Sequence, residues 1–202
     1  GIACVRDRVV QSSCLNLMEP LFESGFSHFS FAYRPRRNAH HAVSLARSFI
    51  KSGKKWIVIA DIRKCFDSLD HDILLDLISY KILDDQLINL IRHWLTCDVF
   101  EFGDFIPLDS GVPQGESLSP LLSNIYLDPL DKYFEKRRLN FVRYADDICI
   151  FTDTESDAKK ALKIMGEYLH NNLKLELKPS KTNFVSICDG FDFLGFRIHE
   201  HG

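Results

Sequence analysis

The sequence predicts an α+β fold in which an antiparallel sheet is backed by helices and follows a mostly helical region. Three observations predict this fold. The continuous apolar run "KWIVIAD" at 55–61 has the length and the β-branched content of a buried strand. Two strand-like runs, "NFVRYA" and "ICIFT", flank Asp146 and Asp147. Helical patterns separate the first strand from this pair and also follow it, which is the order of a split βαβ arrangement.

Each helical pattern is bounded by capping or breaking residues. We expect helices at Val5 to Met18 with Pro20 as the stop, at Ala39 to Ser52, at about Asp72 to Ile82, at Asp84 to Thr96, from Ser119 onward, and at Glu155 to about Asn171. Pro129 should kink or split the helix that begins at Ser119, because proline lacks a donor N–H. The runs "LKLEL", "TNFVSIC" and "FDFLGFRI" are expected to be the remaining strands.

The two adjacent aspartates are predicted to lie at the tip of a β-hairpin. Asp146 and Asp147 are the only residues between two strand-like runs. Two residues is the commonest hairpin connection, and Asp tolerates turn conformations. In a split βαβ arrangement the end of the first strand, at Asp61, can lie beside that tip. Three carboxylates would then converge from distant parts of the chain.

Converging carboxylates predict a site for divalent cations. Like charges repel and buried charge is costly, so a cation is needed to offset both effects. Mg²⁺ prefers hard oxygen ligands, and two such ions about 3.5–4 Å apart can stabilise the attacking and leaving oxygens of a phosphoryl transfer. Spacing alone leaves an alternative open, in which the turn aspartates are merely solvated and Asp61 caps a helix.

The composition is that of an ordinary globular chain. It has 202 residues, 46% of them hydrophobic, which suffices for one domain or two small ones. No run approaches the roughly 20 apolar residues of a membrane span, and no secretion signal begins at Gly1, so we expect a cytoplasmic protein without membrane contact. The six cysteines are scattered singly, which favours reduced thiols. With a net charge of −3, a nucleic-acid surface must be local, as at 34–37.

Seven motifs resemble those of reverse transcriptases and occur in the family's order. They are "RDRVVQ" (6–11), "FAYRPRRNAHHAV" (31–43), "ADIRKCFDSLDH" (60–71), "GVPQGESLSP" (111–120), "YADD" (144–147), "LKPSKT" (177–182) and "FLGF" (193–196). The finger segments resemble the bacterial group II intron-like lineage, and the whole set spans nearly the entire chain. The resemblance implies a polymerase palm with partial fingers. It divides the chain into partial fingers at 1–54, the first metal-ligand strand of the palm at 55–70, a helical insertion at 71–110 and the remaining palm at 111–202.

The resemblance also implies a reaction and its metal ligands. Asp61 and Asp146 resemble the principal ligands of two Mg²⁺ ions, or of Mn²⁺ in their place. The Ile62 carbonyl and Asp147 would be further ligands. The implied reaction is attack of a primer 3′-OH on the α-phosphate of a dNTP, with release of pyrophosphate.

Further residues match the family's nucleotide site. Phe66 resembles the steric gate that excludes a 2′-OH, whereas RNA-dependent RNA polymerases usually have Asp there. Gln114 and Gly115 match the loop that contacts the incoming nucleotide, and Lys181 resembles the proton donor to pyrophosphate. Without the resemblance, Phe66 would be interpreted as a core residue, the loop as an ordinary turn and Lys181 as a surface lysine.

The implied partners are an RNA template, a DNA or RNA primer, dNTP and further domains of a longer parent protein. Arg34, Arg36 and Arg37 would contact template phosphates, and Tyr144 would pack near the primer end. Two other functions stay open. One is a reverse-transcriptase-like domain that binds RNA or a partner without catalysis. The other is a nucleotidyl cyclase-like palm, although its Gly-Gly-acid hairpin is absent from this sequence.

Overall fold

The structure is a computed structural model that describes residues 4–97, 99–101, 104–106, 109–113 and 115–200. The helices of these ranges are α1 (Val5–Glu23), α2 (Ala39–Lys51), α3 (His71–Ser79), α4 (Asp85–Thr96), α5 (Ser119–Lys136) and α6 (Glu155–Leu173). The strands are β1 (Trp56–Asp61), β2 (Val99–Glu101), β3 (Asp104–Ile106), β4 (Asn140–Tyr144), β5 (Asp147–Thr152), β6 (Asn183–Ser186), β7 (Phe191–Phe193) and β8 (Phe196–Ile198).

The chain forms two compact units. Unit 1 comprises Gly1–Phe26 and Lys64–Leu127, and unit 2 comprises Ser27–Arg63 and Asp128–Gly202. Helix α5 begins in unit 1 and ends in unit 2. The division into four segments that the family resemblance implies stays a prediction.

Unit 2 contains a four-stranded antiparallel sheet in the order β4-β5-β1-β6. The predicted α+β fold with strand β1 beside the later hairpin is therefore confirmed. Strand β1 forms because its β-branched residues are buried on both faces, with Ile57 and Val58 both fully buried. Helix α2 packs on one face, in a cluster with Ile57 and Phe151. Helix α6 contacts β1, β5 and β6 without joining that cluster, so it covers the other face.

Unit 1 is mainly helical in the part of the chain that is described. Aspartates cap two of its helices, since Asp70 accepts from the Ile73 amide and Asp84 from the amides of Gln86 and Leu87. Strands β2 and β3 form a separate two-stranded antiparallel sheet. The predicted boundaries of α3 and α4 agree with the structure to within a few residues.

The prediction that Pro20 ends its helix was wrong, and so was the prediction of a split at Pro129, while a kink at Pro129 stays a prediction. Helix α1 continues through Pro20 to Glu23, and α5 runs unbroken past Pro129. Burial on both sides of each proline explains the result. Met18 and Phe22 are buried around Pro20, and the α5 residues around Pro129 include several that are fully buried. Tertiary packing therefore outweighs the helix-breaking cost of proline, which is about 3 kcal/mol.

The predicted strand "LKLEL" was also wrong. Leu173 ends α6, and Lys174 adopts a left-handed conformation (φ 50°) as the helix C-cap. Only Leu177 of this run makes a bridge, to Ile62. The first residue of the run belongs to α6 and the second is its C-cap, so only residues 175–177 remain to lead from the helix to the sheet. "TNFVSIC" contains β6, and "FDFLGFRI" forms the β7–β8 hairpin.

All six cysteines are free thiols, as expected. No helix within the described ranges is both long and apolar enough to cross a membrane.

Candidate active site

The acidic site of unit 2 lies where β1 ends beside the β4–β5 hairpin. Asp61 is the last residue of β1 and pairs in register with Asp147, the first residue of β5. Asp146 lies next to it in the turn. The fold thus brings together Asp61, Asp146 and Asp147, as their sequence pattern predicts.

The position of the turn differs by one residue from the prediction. Asp147 pairs with Tyr144, so the two-residue turn consists of Ala145 and Asp146. Ala145 has φ 57°, and a positive φ at the first turn position is typical of tight hairpins whose twist matches the strands. The prediction that both aspartates lie at the tip was therefore wrong for Asp147, because strand pairing with Asp61 extends β5 to that residue.

Backbone hydrogen bonds attach the end of β1 to this turn. The amide of Ile62 donates to the carbonyl of Asp146 at 3.3 Å. On the side away from the hairpin, Ile62 forms an antiparallel β-bridge with Leu177. The hydrogen bonds of this bridge are made by the neighbouring residues, as where the Lys178 amide donates to the Asp61 carbonyl at 2.8 Å. In such a pair the N–H and C=O of the central residue face away from the partner. The Ile62 carbonyl therefore faces the hairpin side.

Burial and mutual repulsion destabilise the charged forms of two of these acids. Burial is the main cause that raises the pKa of Asp146, and the Asp61 carboxylate adds to it. Burial also raises the pKa of Asp147, followed by repulsion from Asp146 and Asp61. Lys181 partly offsets this charge, because its Nζ lies 2.7 Å from Asp61 Oδ2. The hydrogen bond to Asp61 raises the pKa of Lys181 in turn.

The donor chemistry of the three aspartates fits a divalent cation. Carboxylate and backbone carbonyl oxygens are the hard ligands that Mg²⁺ prefers, and a bound cation would offset both the burial and the repulsion that raise the pKa values of Asp146 and Asp147. Across the residues that are described, no group of three or more His, Cys, Asp or Glu side chains is already arranged to hold a metal ion. In this arrangement Lys181 supplies the cation at Asp61.

A cleft of about 410 Å³, here called the acidic cleft, opens at these residues. Its lining includes Asp61, Asp147 and Lys181 together with Leu194 and Gly195 of the β7–β8 turn. The two central residues of the "FLGF" motif therefore line the same cleft as two of the acids. Tyr144 is partly buried and packs against the core cluster of the sheet.

The three arginines of the "RPRR" run have different surroundings. Arg34 is 8% exposed, and its Nη1 donates to the carbonyls of Ser27 and Ser30 at 2.5 and 2.8 Å. Its predicted contact with template phosphate therefore does not fit this structure. Arg37 is partly buried, donates to the His28 carbonyl and lies over the Phe31 ring. Arg36 is exposed.

Phe66, Gln114 and Gly115, which are predicted to contact the nucleotide, belong to unit 1, whereas Ile62 and Lys181 belong to unit 2. Phe66 is partly buried in a 3₁₀ turn (Cys65–Asp67), and its carbonyl accepts from the Val112 amide at 2.7 Å. That bond fastens the loop of the "GVPQG" motif to the turn that carries Phe66. Gly115 has φ 90°, and a Cβ added there would meet nothing within 4 Å. Gln114 lies outside the described residues.

A buried ion pair that was not predicted from the sequence lies next to the acidic site. Arg143 on β4 and Asp131 on α5 are both 0% exposed, and their closest atoms, Arg143 Nη2 and Asp131 Oδ2, are 2.6 Å apart. A signal was present, because Arg143 interrupts the otherwise apolar run "NFVRYA". A charged residue inside a buried strand requires a partner.

A second cleft, here called the basic cleft, lies on the outer side of α2 and was also missed. Its volume is about 400 Å³, and its lining includes His40, Arg47, Lys51 and Phe196, with no acid among the lining residues. The rings of His40 and Phe196 are 5.4 Å apart. The signal was the helical spacing of the three basic residues, which places them on one face.

Comparisons with known proteins concern the family and the fold of this chain. Residues 1–198 match the family described as reverse transcriptase (RNA-dependent DNA polymerase). Over 98% of its length the chain is 30% identical to Protein YkfC of Escherichia coli (strain K12) and to the group II intron-encoded protein LtrA of Lactococcus lactis subsp. cremoris. It spans 62% and 44% of these two proteins, which is less than two thirds of each.

A solved structure shows the same fold. The structure of apo telomerase from Candida tropicalis matches 96% of this chain, and 39% of its own, with a TM-score of 0.72 at 14% identity. At that identity the likeness concerns the fold alone. Together with the family match, the fold and the acidic site lead to one conclusion. The chain belongs to the reverse transcriptase family, in its bacterial group II intron-like lineage.

Proposed function

We propose that this chain is the catalytic core of an RNA-directed DNA polymerase that extends a primer with dNTP on an RNA template. One observation carries the proposal, namely the in-register pairing of Asp61 with Asp147 and the position of Asp146 in the adjoining turn. Three carboxylates close together at the end of two paired strands destabilise the fold unless a cation offsets their charge. The family match supports nucleotidyl transfer as the reaction that uses this arrangement.

In the proposed mechanism the chain positions the reacting groups. Asp61, Asp146 and the carbonyl of Ile62 would hold Mg²⁺, with Asp147 as a further carboxylate. When bound, two such ions would neutralise charge on the attacking and leaving oxygens of an in-line displacement. Lys181 is protonated at neutral pH, since the ordinary lysine pKa of 10.5 is well above 7 and the hydrogen bond to Asp61 raises it further, so it would be able to give a proton to the leaving pyrophosphate.

Primer and template contacts are proposed for both clefts of unit 2. The β7–β8 turn in the acidic cleft would support the primer end, and Tyr144 would pack near it. Phe196 of the same hairpin lines the basic cleft. A strand that leaves the acidic cleft along this hairpin would meet Arg47 and Lys51, which supply positive charge for phosphates. Arg36 is exposed and would add a further phosphate contact.

The test is Mg²⁺-dependent dNTP incorporation by the complete natural protein on an RNA template with an annealed DNA primer. We expect Asp146→Ala to lower incorporation to the level seen with EDTA, because the remaining acids cannot complete the ligand set. Asp153→Ala is the matched control. It removes another carboxylate of unit 2, one that is exposed and paired with Lys54. Equal activity of wild type and Asp146→Ala would refute catalysis at this site.

The proposed steric gate has its own test. Replacing Phe66 by Ala should raise rNTP incorporation relative to dNTP by roughly 10–200-fold, the range in which a pocket discriminates by small differences in size. Tyr80→Ala serves as the control, since Tyr80 is an aromatic residue of unit 1 that is 91% exposed. An unchanged ratio of rNTP to dNTP incorporation in Phe66→Ala would refute the gate.

The ion pair of Asp61 favours a second candidate function. Lys181 pairs with the Asp61 carboxylate at 2.7 Å, and such a pairing of a ligand carboxylate would suit a domain that binds RNA and does not catalyse. This candidate predicts RNA binding that is unaffected by EDTA, and no incorporation by wild-type protein. The incorporation assay above therefore separates the two functions.

A further inference from the structure

Arg143 reaches both helix α5 and the turn that carries Asp146. Its Nε donates to both carboxylate oxygens of Asp131, at 2.8 and 3.0 Å, and its Nη2 donates to Asp131 Oδ2. Its remaining terminal nitrogen, Nη1, donates to the carbonyl of Ala145 at 3.1 Å. The guanidinium thus joins a buried carboxylate to the first residue of the hairpin turn.

The turn needs such support. Ala145 has φ 57°, a left-handed conformation that costs a non-glycine residue more than the right-handed one. The peptide that Arg143 holds runs from the Ala145 carbonyl to the Asp146 nitrogen. A fixed Ala145 carbonyl therefore fixes the direction in which the chain enters Asp146, whose own carbonyl accepts from Ile62 at the end of β1.

The backbone of Arg143 is fixed as well. Its amide donates to the Phe29 carbonyl at 2.9 Å, and its carbonyl accepts from the Phe31 amide at 3.0 Å. Arg34 holds the same loop through the carbonyls of Ser27 and Ser30. Hydrogen bonds therefore hold Arg143 at two places. The loop holds its backbone, and Asp131 holds its guanidinium.

Stability alone does not account for the pair. A buried ion pair often contributes no more than apolar residues of the same volume, since both charges lose their hydration. Apolar residues could not replace the hydrogen bond that Arg143 donates to the Ala145 carbonyl. We propose that Arg143, oriented by Asp131, is a positioning residue that fixes Asp146 against the end of β1. This inference rests on the proposed catalytic function of Asp146.

The test is the double variant Arg143→Met/Asp131→Leu in the complete natural protein. Removing both charges leaves neither one buried and unpaired, so folding should survive. The first readout needs no metal. It is hydrogen exchange at the Ile62 amide, which donates to Asp146, and we expect faster exchange there at an unchanged urea midpoint. Ile57→Val is the control for a general loss of packing, because Ile57 is buried in β1 away from the turn.

The second readout is Mn²⁺ binding, followed by electron paramagnetic resonance without nucleotide. We expect binding to weaken roughly 10–100-fold, as when groups that orient metal ligands are removed. In Arg143→Lys the ion pair with Asp131 is kept, but a lysine ammonium lacks the planar guanidinium that reaches Asp131 and Ala145 together. This variant should therefore show the same faster exchange at the Ile62 amide. This single variant carries the test if the double variant fails to fold.

The outcomes separate this inference from the proposed function. Wild-type exchange at Ile62 in both variants would overturn the positioning role. A second outcome is faster exchange at Ile62 in the variants, when the wild-type protein neither binds Mn²⁺ nor incorporates dNTP. This outcome would support the positioning role and refute the proposed function. Faster exchange together with weaker Mn²⁺ binding would support both.

Discussion

Asp128 shows how burial changes the chemistry of a single residue near the acidic site. It lies on α5, one turn before Asp131, and its Oδ1 is buried without a hydrogen-bond partner in the described structure. Burial and then repulsion from Asp131 raise the pKa of Asp128 to about 6, although Lys132 and Arg143 attract its charged form. The protein therefore carries a carboxylate at neutral pH whose charged form is less favourable than it would be in water.

Asp128→Asn should stabilise the protein at neutral pH. The folded-state pKa of about 6 lies above the ordinary value of 3.8, so the folded state binds more protons than the unfolded state between these pH values. Rising pH lowers stability across that window and has no further effect above it. The full difference is at most about 3 kcal/mol, at 1.36 kcal/mol per pKa unit.

Urea unfolding at pH 4 and pH 7.5 measures this effect. The free energy of unfolding of Asp128→Asn should exceed that of wild type at pH 7.5, and the gap should shrink at pH 4. Asp189→Asn is the control, since Asp189 is an exposed carboxylate of the same unit. A gap that is equal at both pH values would contradict the raised pKa.

Among the helices and strands, the sequence predicted those whose position depends on local patterns of apolar and capping residues. Strand β1 and helices α2 and α4 are where their apolar periodicity and capping residues indicate, and the pairing of β1 with the hairpin follows from the order of elements. The turn was misplaced by one residue because register depends on the partner strand, and Asp147 pairs with Asp61. Likewise, Arg34 looks like a surface charge in sequence, since the carbonyls that bury it belong to a folded loop.

The basic cleft gives a prediction for helix α2. Arg47→Ala/Lys51→Ala should weaken binding of an RNA template with annealed DNA primer by about 2- to 30-fold, if each residue contributes the 0.2–1 kcal/mol of an exposed ion pair. Both substitutions are compatible with a helix, because Ala has the best helix propensity. Fluorescence anisotropy of a labelled duplex measures the change.

A matched variant on another helix isolates the role of this face. Lys160→Ala/Lys163→Ala removes the same charge from α6, where each lysine lies within 4 Å of an acid of its own helix. We expect this control to bind almost as wild type does. Equal losses for the two double variants would mean that only net charge matters and that the basic cleft is not a contact surface.

Across the whole molecule, the charges are distributed unevenly between the two units, which the net charge alone does not show. The net charge is −3, but unit 2 contains 20 Lys and Arg against 14 Asp and Glu, whereas unit 1 contains 5 against 14. The unit with the acidic and basic clefts therefore carries a formal charge of +6, and the other carries −9. Sequence order hides this division, because each unit is assembled from two separated segments of the chain.

This distribution predicts strongly salt-dependent binding in spite of the acidic total. Neutralised phosphates release counterions, so three contacts, at Arg36, Arg47 and Lys51, should lower affinity for the template–primer duplex roughly 40-fold between 50 and 200 mM salt. Arg47→Ala/Lys51→Ala should reduce the slope of log K against log salt by about 2. Asp76→Asn/Asp85→Asn removes two exposed acids of unit 1 and should leave that slope unchanged, because the slope counts phosphates in contact with cations. If these Asn substitutions shifted the slope as much as the Ala substitutions, total charge would govern binding and the local surface on unit 2 would be refuted.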